Sequence, residues 1–230
     1  MSAKLSTSVR PAPSNEQGFT FLEILIVIAV ISVIGAIAIP GYLSMTKTLR
    51  IAGDSRDLNA TIALAKMRAA QAFTHARVHA DLVANTYALE VWDKSGNGGV
   101  GCWTTEGDAM VGGVTRCTQT SSPAVSLSSG VSFGFAGVSA GNPNPQPAPI
   151  QQAPACYDGV AGGTLGNSHS GTACIEFNSR GVPVASNNSL ALNDALYITD
   201  QSAVFGVTVI PSGLIQIWYT DAATTAWEAR

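Results

Sequence analysis

From Phe19 to Ile39 the chain runs for 21 residues with a single charge, Glu23. At about 1.5 Å of rise per residue, a helix of that length reaches roughly 31 Å, enough to cross the hydrocarbon core of a bilayer. An ionised carboxylate inside such a segment costs on the order of 2.5–3.5 kcal/mol by insertion scales, so Glu23 needs a compensating interaction. Snorkelling toward the membrane surface can meet that need while the chain is a membrane-stored monomer. A partner charge supplied by another molecule meets it during assembly.

The flanks of the run admit three interpretations. Lys4 and Arg10 form a basic n-region and Ala36-Ile37-Ala38 has the small-x-small pattern of a cleavage site, as in a secretory signal. The same run with a basic flank also reads as a plain transmembrane anchor. The third interpretation rests on Gly18-Phe19-Thr20-Phe21-Leu22-Glu23-Ile24, which closely resembles the type IV prepilin signal. A glutamate at the mouth of an ordinary signal-peptide apolar region has no role, which favours this third reading. The resemblance implies cleavage after Gly18 by a prepilin peptidase, N-methylation of the new terminus at Phe19 by the same enzyme, and retention of the apolar helix. It makes Glu23 the fifth mature residue and Pro40 the twenty-second, and it implies that Glu23 pairs with the terminal amine of a neighbouring subunit. Removing one member of such a buried pair strands the other, so the charge acts as a register device.

Charged residues make up only 12% of the 230-residue chain, with 23 glycines and a formal charge of −3. That composition suits an exported β-rich head better than a cytosolic enzyme. Charge is unevenly spread: from Trp92 onward there are four basic and nine acidic side chains. Cys102, Cys117, Cys156 and Cys174 all lie in that half, and none forms a C-x-x-C pair, which argues against a zinc ribbon or thioredoxin-like site. An even count beyond an export helix reads as disulfides. Of the three possible connectivities, Cys102–Cys117 with Cys156–Cys174 is favoured because both loops are short and glycine-rich. Closing a loop of that size contributes roughly 3 kcal/mol in the chain-entropy model.

After Pro40-Gly41, expected to bend or locally melt the helix, residues 42–82 read as an amphipathic helix. Leu58, Ile62, Ala65, Ala69, Ala72 and Ala76 recur at helical spacing, while Arg56, Lys66, Arg68 and Arg77 take other faces. Beyond, in 83–230, the period becomes two. Tyr87–Trp92, Val131–Val138, Ala173–Asn178, Ala195–Thr199, Val204–Ile210 and Leu214–Tyr219 read as strands, the last two joined at Pro211-Ser212-Gly213. The proline-rich stretch near 141–155 reads as an exposed insert. The expected class is α+β: a long N-terminal hydrophobic helix, transmembrane in 19–41 and amphipathic beyond, packed on an antiparallel β-sheet head, with 1–18 as a cleaved leader. The resemblance implies a pilin-like fold.

Within that family, Leu64–Arg77, Ile175–Pro183 with its Asn-x-x-Gly turn, and the final hairpin Val204–Tyr219 look most similar to GspH/FimT-type minor pilins and pseudopilins. The resemblance implies a structural subunit of a type IV pilus or a type II secretion pseudopilus. Its partners would be other pilins or pseudopilins, an inner-membrane assembly platform, and membrane lipid before assembly. It would be anchored by one pass in the bacterial inner membrane with its head in the periplasm, then incorporated into the pseudopilus or an extracellular pilus. DNA-binding members carry a basic run after the glycine of the last hairpin; Gly213–Tyr219 holds neither Lys nor Arg, so nucleic acid is not an expected partner. His75 and His79, spaced i, i+4 on the expected helix, lack an H-E-x-x-H context, and read as an exposed polar face. His169 lies in a loop composition. Asp93, Asp108, Asp158 and Asp200 show no EF-hand spacing, no G-x-S-x-G elbow occurs, and Gly96–Gly101 makes a poor phosphate cradle. The four tryptophans read as packing residues. No catalytic residue, metal or cofactor is expected, and no enzymatic activity; the rival class is a membrane-tethered periplasmic enzyme or binding module.

Overall fold

The structure is a computed structural model that describes residues 18–105, 124–138, 141–143, 149–185, 194–224 and 226–230. Two units meet between Met45 and Thr46. A single helix, α1 (Phe21–Gln71), contains the apolar run from Phe21 onward, and Pro40 and Gly41 lie inside its bounds. The segment Phe21–Ile39 is long and apolar enough to cross a membrane, and none of it is buried within the chain.

In the second unit α1 carries the expected seam. Ile51, Leu58, Ile62, Ala65 and Ala69 are fully buried at spacings of three, four and seven, the signature of one helical face against a core. The helix then stops at Gln71, about eleven residues earlier than its Ala- and Arg-rich composition predicts. Thr74 N–H donates to the Ala69 carbonyl at 3.2 Å and Phe73 N–H to that of Ala70 at 3.4 Å, the hydrogen-bond pair of a Schellman motif. Phe73 takes the left-handed position, with φ 50°, where glycine is usual. Ala72 is therefore exposed at the helix end, and Ala76 belongs to a strand.

The strands are β1 (Ala76–Asp81), β2 (Thr86–Asp93), β3 (Cys102–Thr105), β4 (Val125–Ser126), β5 (Ser132–Phe133), β6 (Gln151–Gln152) and β7 (Cys156–Tyr157). They continue as β8 (Ser168–His169), β9 (Thr172–Phe177), β10 (Pro183–Val184), β11 (Asp194–Thr199), β12 (Ala203–Val209), β13 (Ile215–Asp221) and β14 (Glu228–Ala229). The first sheet has the order β10-β9-β1-β2-β3, with β4 also on β2; the second has the order β14-β13-β12-β11-β5, with β6 parallel to β11. β7 and β8 form a separate small ladder. Apart from the β6 pairing, the ladders are antiparallel, so the α+β expectation holds, with two sheets where one was anticipated.

One hydrophobic cluster joins the helix seam to both sheets through Val78, Ile175, Phe177, Leu196, Ile198, Phe205 and Val207. A second lies on the opposite face of the second sheet, where Tyr197, Val204 and Ile150 meet Phe135 and Trp227. The second sheet is thus buried on both faces, and β12 is buried along its whole length. Tyr197 lies against Gly206, where a Cβ would sit 2.6 Å from its ring. Its hydroxyl donates to the Ile150 carbonyl at 2.5 Å. That contact corrects the expectation of an exposed insert at its C-terminal end: Ile150 and Ala153 are buried, and Gln151–Gln152 pair at a sheet edge, where proline-flanked backbone is tolerated, while 144–148 lie outside the described residues. The two glycine turns form as expected. Gly213 (φ 78°) closes the β12–β13 hairpin and Gly181 (φ 71°) the β9–β10 turn. Lys66 Nζ reaches the first of them, donating to the Gly213 carbonyl at 3.0 Å.

Asp194 opens β11, and burial pushes its carboxyl up to about 6. Because the folded form holds its proton more tightly than the unfolded chain, this side chain lowers stability as pH rises from about 4 through about 6. Asp194→Asn is therefore expected to stabilise the head at pH 7 by up to about 3 kcal/mol and to leave it unchanged near pH 3. Urea midpoints at the two pH values measure this; an equal effect at both would contradict it.

Candidate assembly segment and the charge cluster of the head

Helix α1 begins at a defined point. The Thr20 carbonyl accepts from Glu23 and Ile24 N–H at 3.1 and 3.3 Å, and Thr20 Oγ1 accepts from Glu23 N–H at 3.3 Å. Thr20 thus acts as an N-cap. The pattern Thr20-x-x-Glu23 is the sequence form of a capping box, a signal available in the sequence and overlooked in its reading. In a membrane such caps matter more, because water cannot satisfy the first N–H groups of a helix. Glu23 lies one turn inside, exposed like the apolar residues around it. Phe19 and Phe21 are 82% and 80% exposed. An unburied apolar helix of this length is stable only against lipid or against other apolar helices. Gly18, Phe19 and Glu23 therefore share one exposed segment. Pro40 and Gly41 lie 17 residues or more beyond Glu23 on the same helix.

The head holds a second set of ionisable residues, in places the helical reading did not anticipate. His75, Arg77 and His79 belong to the approach to β1 and to β1 itself. Alternation along that strand sends Ala76, Val78 and Ala80 into the core, and Arg77 and His79 to the other face. β1 runs between β2 and β9, which sets Arg77 opposite both Glu90 and Glu176. Arg77 is completely buried, and Glu90 and Glu176 are nearly so. Arg77 Nε donates to Glu90 Oε2 at 2.5 Å, and its Nη1 to the Tyr157 carbonyl at 2.5 Å. The guanidinium carbon lies 4.0 Å from the centre of the Trp103 ring, a cation–π contact. His79 Nδ1 is 3.1 Å from Glu90 Oε1, and His75 Nδ1 is 2.7 Å from Glu176 Oε1.

Burial pushes the Glu90 carboxyl up, but the Arg77 guanidinium and the contact with His79 outweigh it and hold the group at about 2, against an ordinary 4.5. A depressed carboxyl contributes stability that is complete above the unfolded value and is lost as pH falls through the folded one. Acidification from about 4.5 to about 2 is therefore expected to remove about 3 kcal/mol from this source. Urea denaturation across that range should show the loss, and Glu90→Gln should flatten it; an identical acid slope in the variant would exclude Glu90 as the origin.

The remaining sequence candidates are accounted for locally. Cys156 and Cys174 form the expected disulfide. Cys102 is also disulfide-bonded, while Cys117, its expected partner, lies outside the described residues. Asp93 and Asp200 accept hydrogen bonds within their own turns. Asp158 pairs with His169 at 2.6 Å and with Asn167 at 3.1 Å; Asp108 lies outside the described residues. Among the described residues no three His, Cys, Asp or Glu side chains are grouped as a metal site would need. Trp92 and Trp103 pack edge to face with centroids 5.3 Å apart. Trp218 Nε1 donates to Thr208 Oγ1, and Trp227 joins Phe135 and Tyr197. These placements agree with packing roles.

Comparison with known proteins identifies the N-terminal segment. Residues 13–39 match the prokaryotic N-terminal methylation motif. No curated protein and no solved structure matches the chain. The matched span includes Gly18, Phe19 and Glu23 and stops before the head. It supports a type IV pilin-like structural subunit. Such a motif implies processing by a prepilin peptidase and assembly with other pilins, and the apolar helix is consistent with a membrane-anchored pilin.

Proposed function

We propose that this chain is a GspH/FimT-like minor subunit of a type IV pilus or a type II secretion pseudopilus. A prepilin peptidase cuts after Gly18 and methylates Phe19, and the mature chain waits as a single-pass protein of the bacterial inner membrane with its head in the periplasm. An assembly platform then moves it from lipid into a helical fibre. The observation that carries this reading is the helix segment Phe21–Ile39, with Glu23 as its one charge and unburied by its own chain, inside a methylation motif. In the fibre, neighbouring helices replace lipid around that segment, and Glu23 pairs with the Phe19 amine of an adjacent subunit. Pro40 and Gly41 supply a weakened point in the helix, since proline removes one intrahelical hydrogen bond.

The minor-subunit assignment draws on the head. Its final hairpin and its Asn178–Gly181 turn carry the resemblance, and Gly213–Tyr219 offers no cation for phosphate. Expression of the full chain in a host with a complete pilus or pseudopilus system tests the assignment. The protein should appear in the sheared fibre fraction, in amounts well below the major subunit. A protein confined to the membrane fraction, or one that makes abundant fibres by itself, would overturn it.

A further inference from the structure

Lys47 is the first charged residue after Glu23, and Arg50 follows it three residues later. Lys47 stands 24 residues beyond Glu23. At about 1.5 Å of rise each, those residues reach roughly 36 Å, within the about 40–45 Å of a bilayer with its headgroups. Between the two charges, Tyr42 and Met45 are 68% and 65% exposed, so unburied apolar surface continues almost to Lys47. The cations that follow a membrane span at this distance meet the headgroup layer, where lysine and arginine attract anionic lipid.

Beside these two cations the head has a cavity of about 350 Å³. Lys47 and Arg50 wall one side of it, and two turns, Ser129–Val131 and Asp200–Gln201, wall the other. Asp54 fixes the first turn, accepting from the Ser128 N–H at 2.9 Å and from its hydroxyl at 2.8 Å. Asp200 Oδ1 fixes the second, accepting from the Ser202 N–H and hydroxyl and from the Ala203 N–H. Both acids are thus engaged in building the turns. The cations are not. Lys66, Arg77 and Lys94 all donate to oxygens of the head, whereas Lys47 and Arg50 have no hydrogen bond or ion pair among the described residues. Ser129 and Gly130 are exposed, and their N–H groups have no partner among the described residues. Two free cations, free N–H groups and the Ser129 hydroxyl suit an anion with several acceptor oxygens. Arg50 can engage two of those oxygens at once, and Lys47 adds a point charge.

We propose that this cleft holds the headgroup phosphate of an anionic phospholipid while the subunit is stored in the membrane. The proposal rests on the reading of Phe21–Ile39 as a membrane span, and it names the lipid class and the residues that recognise it. A zwitterionic headgroup suits the cleft less well, because it brings its own ammonium group toward two fixed cations. A single exposed ion pair is weak in free solution. Here the span already holds the chain in the bilayer, so headgroups are present at high effective concentration. The bound lipid keeps the stored subunit at the membrane surface and is given up when the subunit leaves for the fibre.

Hydrogen exchange read by mass spectrometry tests this on the full chain in nanodiscs. Discs of phosphatidylcholine are compared with discs of an equal mixture of phosphatidylcholine and phosphatidylglycerol. The Ser129 and Gly130 amides should exchange at least about fivefold more slowly in the mixed discs, while those of β11 and β12 do not change. Lys47→Ala/Arg50→Ala should abolish that difference with β11 and β12 still protected. Arg180→Glu shifts the net charge by the same amount at an exposed cation outside the cleft, and should preserve it. Equal exchange at Ser129 and Gly130 in the two discs, with the Phe21–Ile39 amides protected in both, would overturn the site alone. A difference that persists in Lys47→Ala/Arg50→Ala, or disappears in Arg180→Glu, would overturn it too, since the attraction would then not be local. The same slowing by inorganic phosphate in phosphatidylcholine discs would overturn the lipid assignment. Unprotected Phe21–Ile39 amides in both discs would contradict the membrane span, and the site with it.

Discussion

Replacing Glu23 with alanine is expected to remove the chain from the fibre fraction while leaving cleavage after Gly18 and retention in the membrane intact. Alanine makes the segment more apolar and keeps the Thr20 cap, whose hydrogen bond uses the backbone N–H of residue 23, so insertion into lipid does not suffer. The head belongs to the other unit and lies outside the substitution. What is lost is the partner for a neighbour's Phe19 amine. Leaving one member of a buried ion pair unmatched costs about 3–5 kcal/mol, which corresponds to at least about a hundredfold in an association constant. Quantitative immunoblots of sheared fibres against membranes measure the ratio directly. A variant that reaches fibres as efficiently as the wild type would show that Glu23 has no part in assembly. A chain that is only tethered by its helix would also be indifferent to the change.

The second large effect is expected at Arg77. Methionine there keeps the volume of the side-chain stem but leaves Glu90 buried without its guanidinium and the Tyr157 carbonyl without its donor. Urea denaturation of the full chain in detergent, followed by tryptophan fluorescence, should show a loss of about 3–5 kcal/mol. Adding Glu90→Gln should restore part of it, because the double variant no longer buries an uncompensated charge. Were Arg77→Met to cost no more than an ordinary surface change, about 0.5 kcal/mol, the ionised cluster would not be a structural element of the head.

That cluster also marks where reading the sequence stopped. The apolar helix, its single acid and the seam through Leu58, Ile62, Ala65 and Ala69 were legible, because burial along a helix imposes a period that residue types record. The hairpin at Pro211-Ser212-Gly213 was legible for a similar reason: its left-handed turn position is filled by the residue that suits it. The end of α1 was not. Its left-handed position holds Phe73 rather than glycine, so nothing in the local chemistry announces a stop. The next residues, Ala76-Arg77-Val78-His79-Ala80-Asp81, alternate apolar and polar as a strand does, but Ala76 and Arg77 also continue the Ala- and Arg-rich helical stretch. They become a strand because β2 and β9 flank them on both sides, a tertiary decision that outweighs weak local preference. Once that strand is misread, Arg77 is placed on a solvent face, where arginine is ordinarily found, and its pairing with Glu90 cannot be foreseen. The Cys156–Cys174 bond was legible from spacing; that Trp103 and Glu176 hydrogen-bond the stretch beyond it became visible only in the fold.

Assembly as proposed requires a helix that survives processing and carries its acid into the fibre. The N-terminal residue and intact mass of the protein purified from membranes of a prepilin-peptidase-competent host test this most directly. The expected result is a chain beginning at Phe19 with one methyl group on its amine. A chain beginning at Ile39, as a conventional signal peptidase would leave it, or one retaining the residues before Phe19, would contradict it.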